Sequence, residues 1–168
     1  MSRYRYILET AVANNTNTSL PNLIGIFPFN TLIDKEKTNV QQGKIEFLES
    51  AISGLKILGE SKTNVVLFIN QFKDKALSYE QFNSLNQAVE GFVSQFGVTV
   101  LGVYWCPVTD KRDPYVVPNS GMFTRATENQ KINWENVPVL GSSENDLLAA
   151  SKVKALSLIH ISEPTRPE

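Results

Sequence analysis

Asn64-Val-Val-Leu-Phe-Ile-Asn70 is the stretch on which the fold turns. Its centre is apolar without alternation, so both faces of the segment must be covered, as in a strand at the middle of a parallel sheet. Ser78-Tyr-Glu-Gln81 follows, with the Ser-x-x-Gln spacing that satisfies two free amides at a helix start. Phe82, Leu85, Val89, Phe92 and Phe96 then recur at three- and four-residue intervals, and Gly97 ends the run. Val98-Thr-Val-Leu-Gly-Val-Tyr-Trp105 is again apolar and β-branched.

Upstream, Leu23-Ile-Gly-Ile-Phe27 reads as another inner strand. Ile45, Leu48, Ile52 and Leu55 predict a helix over about 43–58, closed by Gly59. Strand, helix, strand, helix, strand predicts right-handed crossovers. The fold class expected is therefore α/β: a Rossmann-like three-layer sandwich with a mostly parallel sheet, cut short at its C-terminal end. Residues 3–12 suggest an edge strand and 14–19 an asparagine-rich loop. Residues 122–129 suggest a short helix, Val137–Leu140 a fourth strand, and 147–155 the start of a last helix.

The composition narrows the class further. The 168 residues carry 16 Lys+Arg and 17 Asp+Glu, without the basic excess expected of an electrostatic nucleic-acid or membrane-surface binder. One cysteine, Cys106, excludes an intrachain disulfide framework, and one histidine excludes a multi-histidine metal centre. No apolar run approaches a membrane span and no signal peptide is legible, which gives a cytoplasmic expectation. Phe27-Pro-Phe-Asn-Thr31 carries neither the Gly-x-Gly-x-x-Gly pattern nor a Walker lysine loop, which argues against classical dinucleotide dehydrogenases and P-loop nucleotidases.

The final segment, Leu156-Ser-Leu-Ile-His-Ile-Ser-Glu-Pro-Thr-Arg-Pro-Glu168, resembles the translation of a transposase adaptor used in sequencing libraries. The match runs without interruption from Leu156 to Arg166. That resemblance implies residues 1–155 as a single α/β domain and 156–168 as a non-native tail, with the coding sequence continuing past Ala155. It also removes His160 as a candidate base. The remaining 155 residues then hold 15 basic and 15 acidic groups.

Ligands of open α/β sheets bind beyond the carboxyl ends of the strands. Those ends predict Asn30 and Asn70 as amides able to read a ribose or base, and Trp105 as a stacking surface. Arg125 has the bidentate fork for a diphosphate. Glu144 and Asp146 have the acid-x-acid spacing of a hard-cation site, although Ser143-Glu-Asn-Asp146 equally reads as a helix cap. Cys106 has no histidine to activate it.

In layout, residues 21–146 resemble the nucleotide-sugar glycosyltransferases of the A-type fold, through Pro28-Phe-Asn30, Asn70, Gly121 with Arg125–Asn129, and Glu144-Asn-Asp146. The resemblance implies glycosyl transfer from a nucleoside-diphosphate sugar assisted by Mn²⁺ or Mg²⁺, with Asn30, Asn70, Trp105 and Arg125 on the nucleotide. Glu144 and Asp146 would hold the metal, and a catalytic base would lie beyond Ala155. The alternative is a non-catalytic α/β binding or interaction domain, whose edge asparagines only form turns and whose acids only cap a helix.

Overall fold

The computed structural model describes residues 23–73 and 75–159. The edge strand and asparagine-rich loop expected over 3–12 and 14–19 lie outside them. Five strands form one all-parallel sheet: β1 (Leu23–Ile26), β2 (Asn64–Ile69), β3 (Thr99–Trp105), β4 (Pro138–Gly141) and β5 (Leu156–Ile159), in the spatial order β3-β2-β1-β4-β5. Four helices connect them: α1 (Ser50–Glu60), α2 (Tyr79–Ser94), α3 (Gly121–Gln130) and α4 (Glu144–Ser151).

The apolar strands demand cover on both faces, and two separate cores supply it. On one face, Ala51, Leu55 and Leu58 of α1 and Leu85, Val89 and Val93 of α2 pack on Ile24, Ile26, Val65, Leu67 and Ile69. On the other, Met122, Phe123 and Ala126 of α3 and Ala149 and Ala150 of α4 meet Val66, Phe68 and Val139. Phe68 anchors this second core, its ring 4.2 Å from that of Phe123 and 5.4 Å from that of Trp134. The three-layer α/β sandwich expected from the alternation is the one observed.

Helix α2 starts where the sequence predicts, with Ser78 Oγ accepting from the Gln81 amide and the Gln81 side chain accepting from the Ser78 amide. The first helix differs. Residues 43–49 are not helical, because their backbone groups pair with the segment after β1. Lys44 and Asn39 exchange amide bonds, the Asp34 amide donates to Glu46 and the Leu48 amide to Leu32. Ile45 and Leu48 still reach the core, so their spacing reports burial rather than helix. The C-terminus of α1 lies so close to the end of α2 that a Cβ on Gly59 would stand 1.7 Å from the Phe96 carbonyl oxygen.

A second correction concerns the tail. Leu156–Ile159 is not outside the fold but is β5, paired with the whole of β4 from Pro138↔Leu156 to Gly141↔Ile159. The adaptor resemblance set this segment apart, yet its Leu-Ser-Leu-Ile pattern extends the sheet, and Leu158 packs against the first core. No described helix is long and apolar enough to cross a membrane.

The chain leaves β1 towards β2 and β3, then returns past β1 to β4. Connections on the two sides of β1 therefore run over opposite faces, and a crevice opens between the ends of β1 and β4.

Candidate functional site

At the end of β1 the side chains are apolar. Phe27 is buried against Phe68 and Phe123 on one face of the sheet, while Phe29 is buried against Phe72 on the other. Past β4 the chain turns into α4, whose N-terminus forms the expected cap: Ser143 Oγ accepts from the Asp146 amide. The Ser142 hydroxyl donates to the Phe29 carbonyl at 2.8 Å, joining the two strand ends.

Asp146 is the chemical centre of this crevice. Its side chain is buried, with Oδ2 accepting from the amides of Ser142 and Ser143 at 3.3 and 3.4 Å. Oδ1 accepts from Asn70 Nδ2, at the end of β2, at 2.6 Å. Burial pushes its carboxyl above the usual aspartate range, against the opposing pull of these hydrogen bonds. The oxygen of the Asn70 side-chain amide, Oδ1, is buried with no hydrogen-bond partner. An acceptor left unpaired beside a carboxylate is the donor set a hard cation prefers.

A cleft of about 300 Å³ opens on this pair, lined also by Gln71, Ser143 and the two lysines Lys35 and Lys111. Neither lysine belongs to an ion pair among the described residues. Cys106 lies on the same cleft with its thiol pointed at the Val108 carbonyl, and burial pushes its pKa up, away from a reactive thiolate. A hollow of about 570 Å³ is larger, but it lies on the other side of the 112–121 segment and touches no strand end. Convergence of three strand ends, rather than volume, locates the site.

The residues singled out in the sequence separate accordingly. Asn70 and Asp146 meet. Glu144 is exposed in the first turn of α4 and does not line the cleft. Asn30 adopts a left-handed φ of 61° and accepts the Lys35 amide on its side chain, so it shapes the loop that delivers Lys35. Trp105 stacks on Phe82, with ring centres 4.6 Å apart and planes 5° apart, against α2 rather than over the cleft. Arg125 lines the larger hollow and approaches Glu128 at 3.5 Å. Lys35 and Lys111 were not legible, since a loop residue has no periodic signal.

No family model matches the sequence, and no curated protein does. Solved structures share its fold. The D,D-heptose 1,7-bisphosphate phosphatase of B. bronchiseptica, complexed with magnesium and phosphate, aligns at a TM-score of 0.68 and 19% identity over 82% of this chain and 79% of that one. The enzyme of the same name from Burkholderia thailandensis aligns at 0.58 and 15% identity, over 80% and 74%. A HAD-superfamily hydrolase from Ehrlichia chaffeensis aligns at 0.54 and 13% identity, over 84% and 89%. The chain thus has the Rossmann-like α/β fold found in HAD hydrolases.

These neighbours correct the glycosyltransferase resemblance and, with it, glycosyl transfer and the nucleotide-sugar partner. The corrected expectation rested on the layout of elements along the chain, and the residues meant to read a nucleotide lie in four different places. Magnesium, one of the two cations expected, is bound in the B. bronchiseptica enzyme.

Proposed function

We propose that the cleft at the ends of β2, β3 and β4 takes a phosphate monoester of a small polyhydroxylated molecule and supports its hydrolysis. The observation that carries this reading is the meeting of two unpaired lysines, Lys35 and Lys111, with the buried Asp146–Asn70 pair in one cleft. The substrate class named for the heptose bisphosphate phosphatases has the same fold around it. The lysines supply charge for the phosphoryl oxygens, and the amides of Asn70 and Gln71 suit a hydroxylated ligand.

The Asp146 carboxylate and the unpaired Asn70 Oδ1 are the residues that would hold Mg²⁺ at this site. When bound it would supply charge neutralisation at the phosphoryl group. Lysines 35 and 111 orient the ester and stabilise charge on its oxygens. Because Phe27 and Phe29 occupy the end of β1, hydrolysis uses direct attack by water rather than a covalent carboxylate intermediate. The water oxygen bonds phosphorus, the P–O ester bond breaks, and the water proton passes to the medium. The departing alkoxide takes a proton from the medium. A cytoplasmic setting accords with the free thiol of Cys106.

Calorimetric titration with a hexose 6-phosphate and with a nucleotide sugar, together with phosphate release in Mg²⁺, tests the reading. The sugar phosphate should bind more tightly and release phosphate slowly, with release lost in Asp146→Ala. Binding without release would refute the hydrolytic step, and absence of binding the whole reading.

A further inference from the structure

Between β3 and α3 the chain runs from Cys106 to Ser120 without regular structure, yet it forms one wall of the cleft through Lys111. A lysine ammonium on a loop contributes little to binding unless the loop is already in place, because ordering it on binding consumes the interaction energy. Two side-chain amides hold this loop. Gln71, the residue after Asn70, donates from Nε2 to the Val108 carbonyl at 2.9 Å and fixes the first part to the end of β2. Asn119, near the other end, donates from Nδ2 to the carbonyls of Lys111 and Asp113, both at 3.0 Å. Its own amide donates to Val116. Asn119 is half-buried and faces the larger hollow, so it grips Lys111 from behind, away from the cleft.

From this juxtaposition we propose that Asn119 is a positioning residue for phosphomonoester recognition, acting through the backbone of Lys111 to hold that ammonium at the cleft. The inference rests on the phosphomonoester reading. The alternative sources of order in the turn are local. Asp110 accepts from the Arg112 amide and side chain, and the Asp113 amide donates to Asp110. Those bonds shape residues 110–113, and the Gly121 amide ties the Pro114 carbonyl to the start of α3, but none of them reaches Lys111 from that segment. Asn119 makes that tie, reaching over eight residues to Lys111.

Wild type, N119A, K111A and the double variant are titrated with a hexose 6-phosphate by calorimetry, and each is melted. N119A should weaken binding roughly three- to tenfold when Lys111 is present. The same substitution in the K111A background should change binding by less than about twofold, while its effect on the melting midpoint is the same in both backgrounds. Equal weakening in both backgrounds, or none, overturns the positioning role and leaves the phosphomonoester reading standing. A wild-type protein that gives no heat removes both. If N119A does not fold, Asn119→Ser, whose hydroxyl is too short to span both carbonyls, takes its place in the same cycle.

Discussion

Replacing Asp146 in two ways separates its structural work from its charge. In Asp146→Ala the amides of Ser142 and Ser143 and the Asn70 Nδ2 group lose their acceptor together. Loss of half a capping box costs about 1 kcal/mol. A buried amide left unpartnered costs about 1–3 kcal/mol. Relief of the buried charge offsets part of this, so a net loss near 2 kcal/mol is expected at neutral pH. Asp146→Asn keeps the shape and one acceptor for the cap, and its amide can donate to the unpaired Asn70 Oδ1. It removes the burial penalty of the charge, so its stability at neutral pH should lie within about 0.5 kcal/mol of wild type.

The pH dependence gives the sign. The folded carboxyl titrates above its ordinary value of 3.8, so between that value and the raised one the folded state binds more protons than the unfolded state. Stability from this group therefore increases as the pH falls through the folded pKa, and is greatest, relative to neutral pH, below 3.8. Urea unfolding followed by circular dichroism, from pH 7.5 down to 4, should show wild type gaining on Asp146→Asn. Equal damage from the two substitutions at neutral pH, or wild type losing ground to Asn on acidification, would refute the reasoning.

Three further outcomes follow from the packing. Phe68→Ala empties the centre of the second core, where the ring meets those of Phe27, Phe123 and Trp134, and should cost about 3–5 kcal/mol in urea. Gly59→Ala must drive the α1 terminus off the Phe96 carbonyl and should cost at least about 2 kcal/mol, whereas Gly91→Ala meets open space and should be neutral or slightly stabilising by the same measurement. The buried Cys106 thiol, with its pKa pushed up, should react with a disulfide reagent far more slowly in the folded protein than in urea; equal rates would contradict its burial.

What could be read beforehand was what is local. The spacing from Phe82 to Val89 and the Ser78–Gln81 pair specify a helix without help from elsewhere, and α2 begins where they place it. The unbroken apolar runs of β1 and β2 require two covering layers whatever the connections. The segment 43–49 was misread because its apolar spacing is met by burial against the loop after β1, a tertiary condition. The acid-x-acid spacing of Glu144 and Asp146 was legible but ambiguous between a cap and a metal site. The capping box is present, while the partner that draws Asp146 into the crevice, Asn70, lies 76 residues earlier in the chain. Lys35 and Lys111 reach the cleft only through loop geometry.

The position of β1 has a temporal consequence. Its neighbour on one side, β2, follows after one loop and one helix, but on the other side Gly25 must wait for Val139. At ribosomal rates of ~5–20 residues per second, that interval is roughly 6–23 s. During it the nascent chain can close only β1, β2 and β3, and the strand destined for the middle of the sheet is an open, apolar edge. Such an edge invites pairing with other chains. The sooner β4 arrives, the shorter the time this edge stands open to other chains.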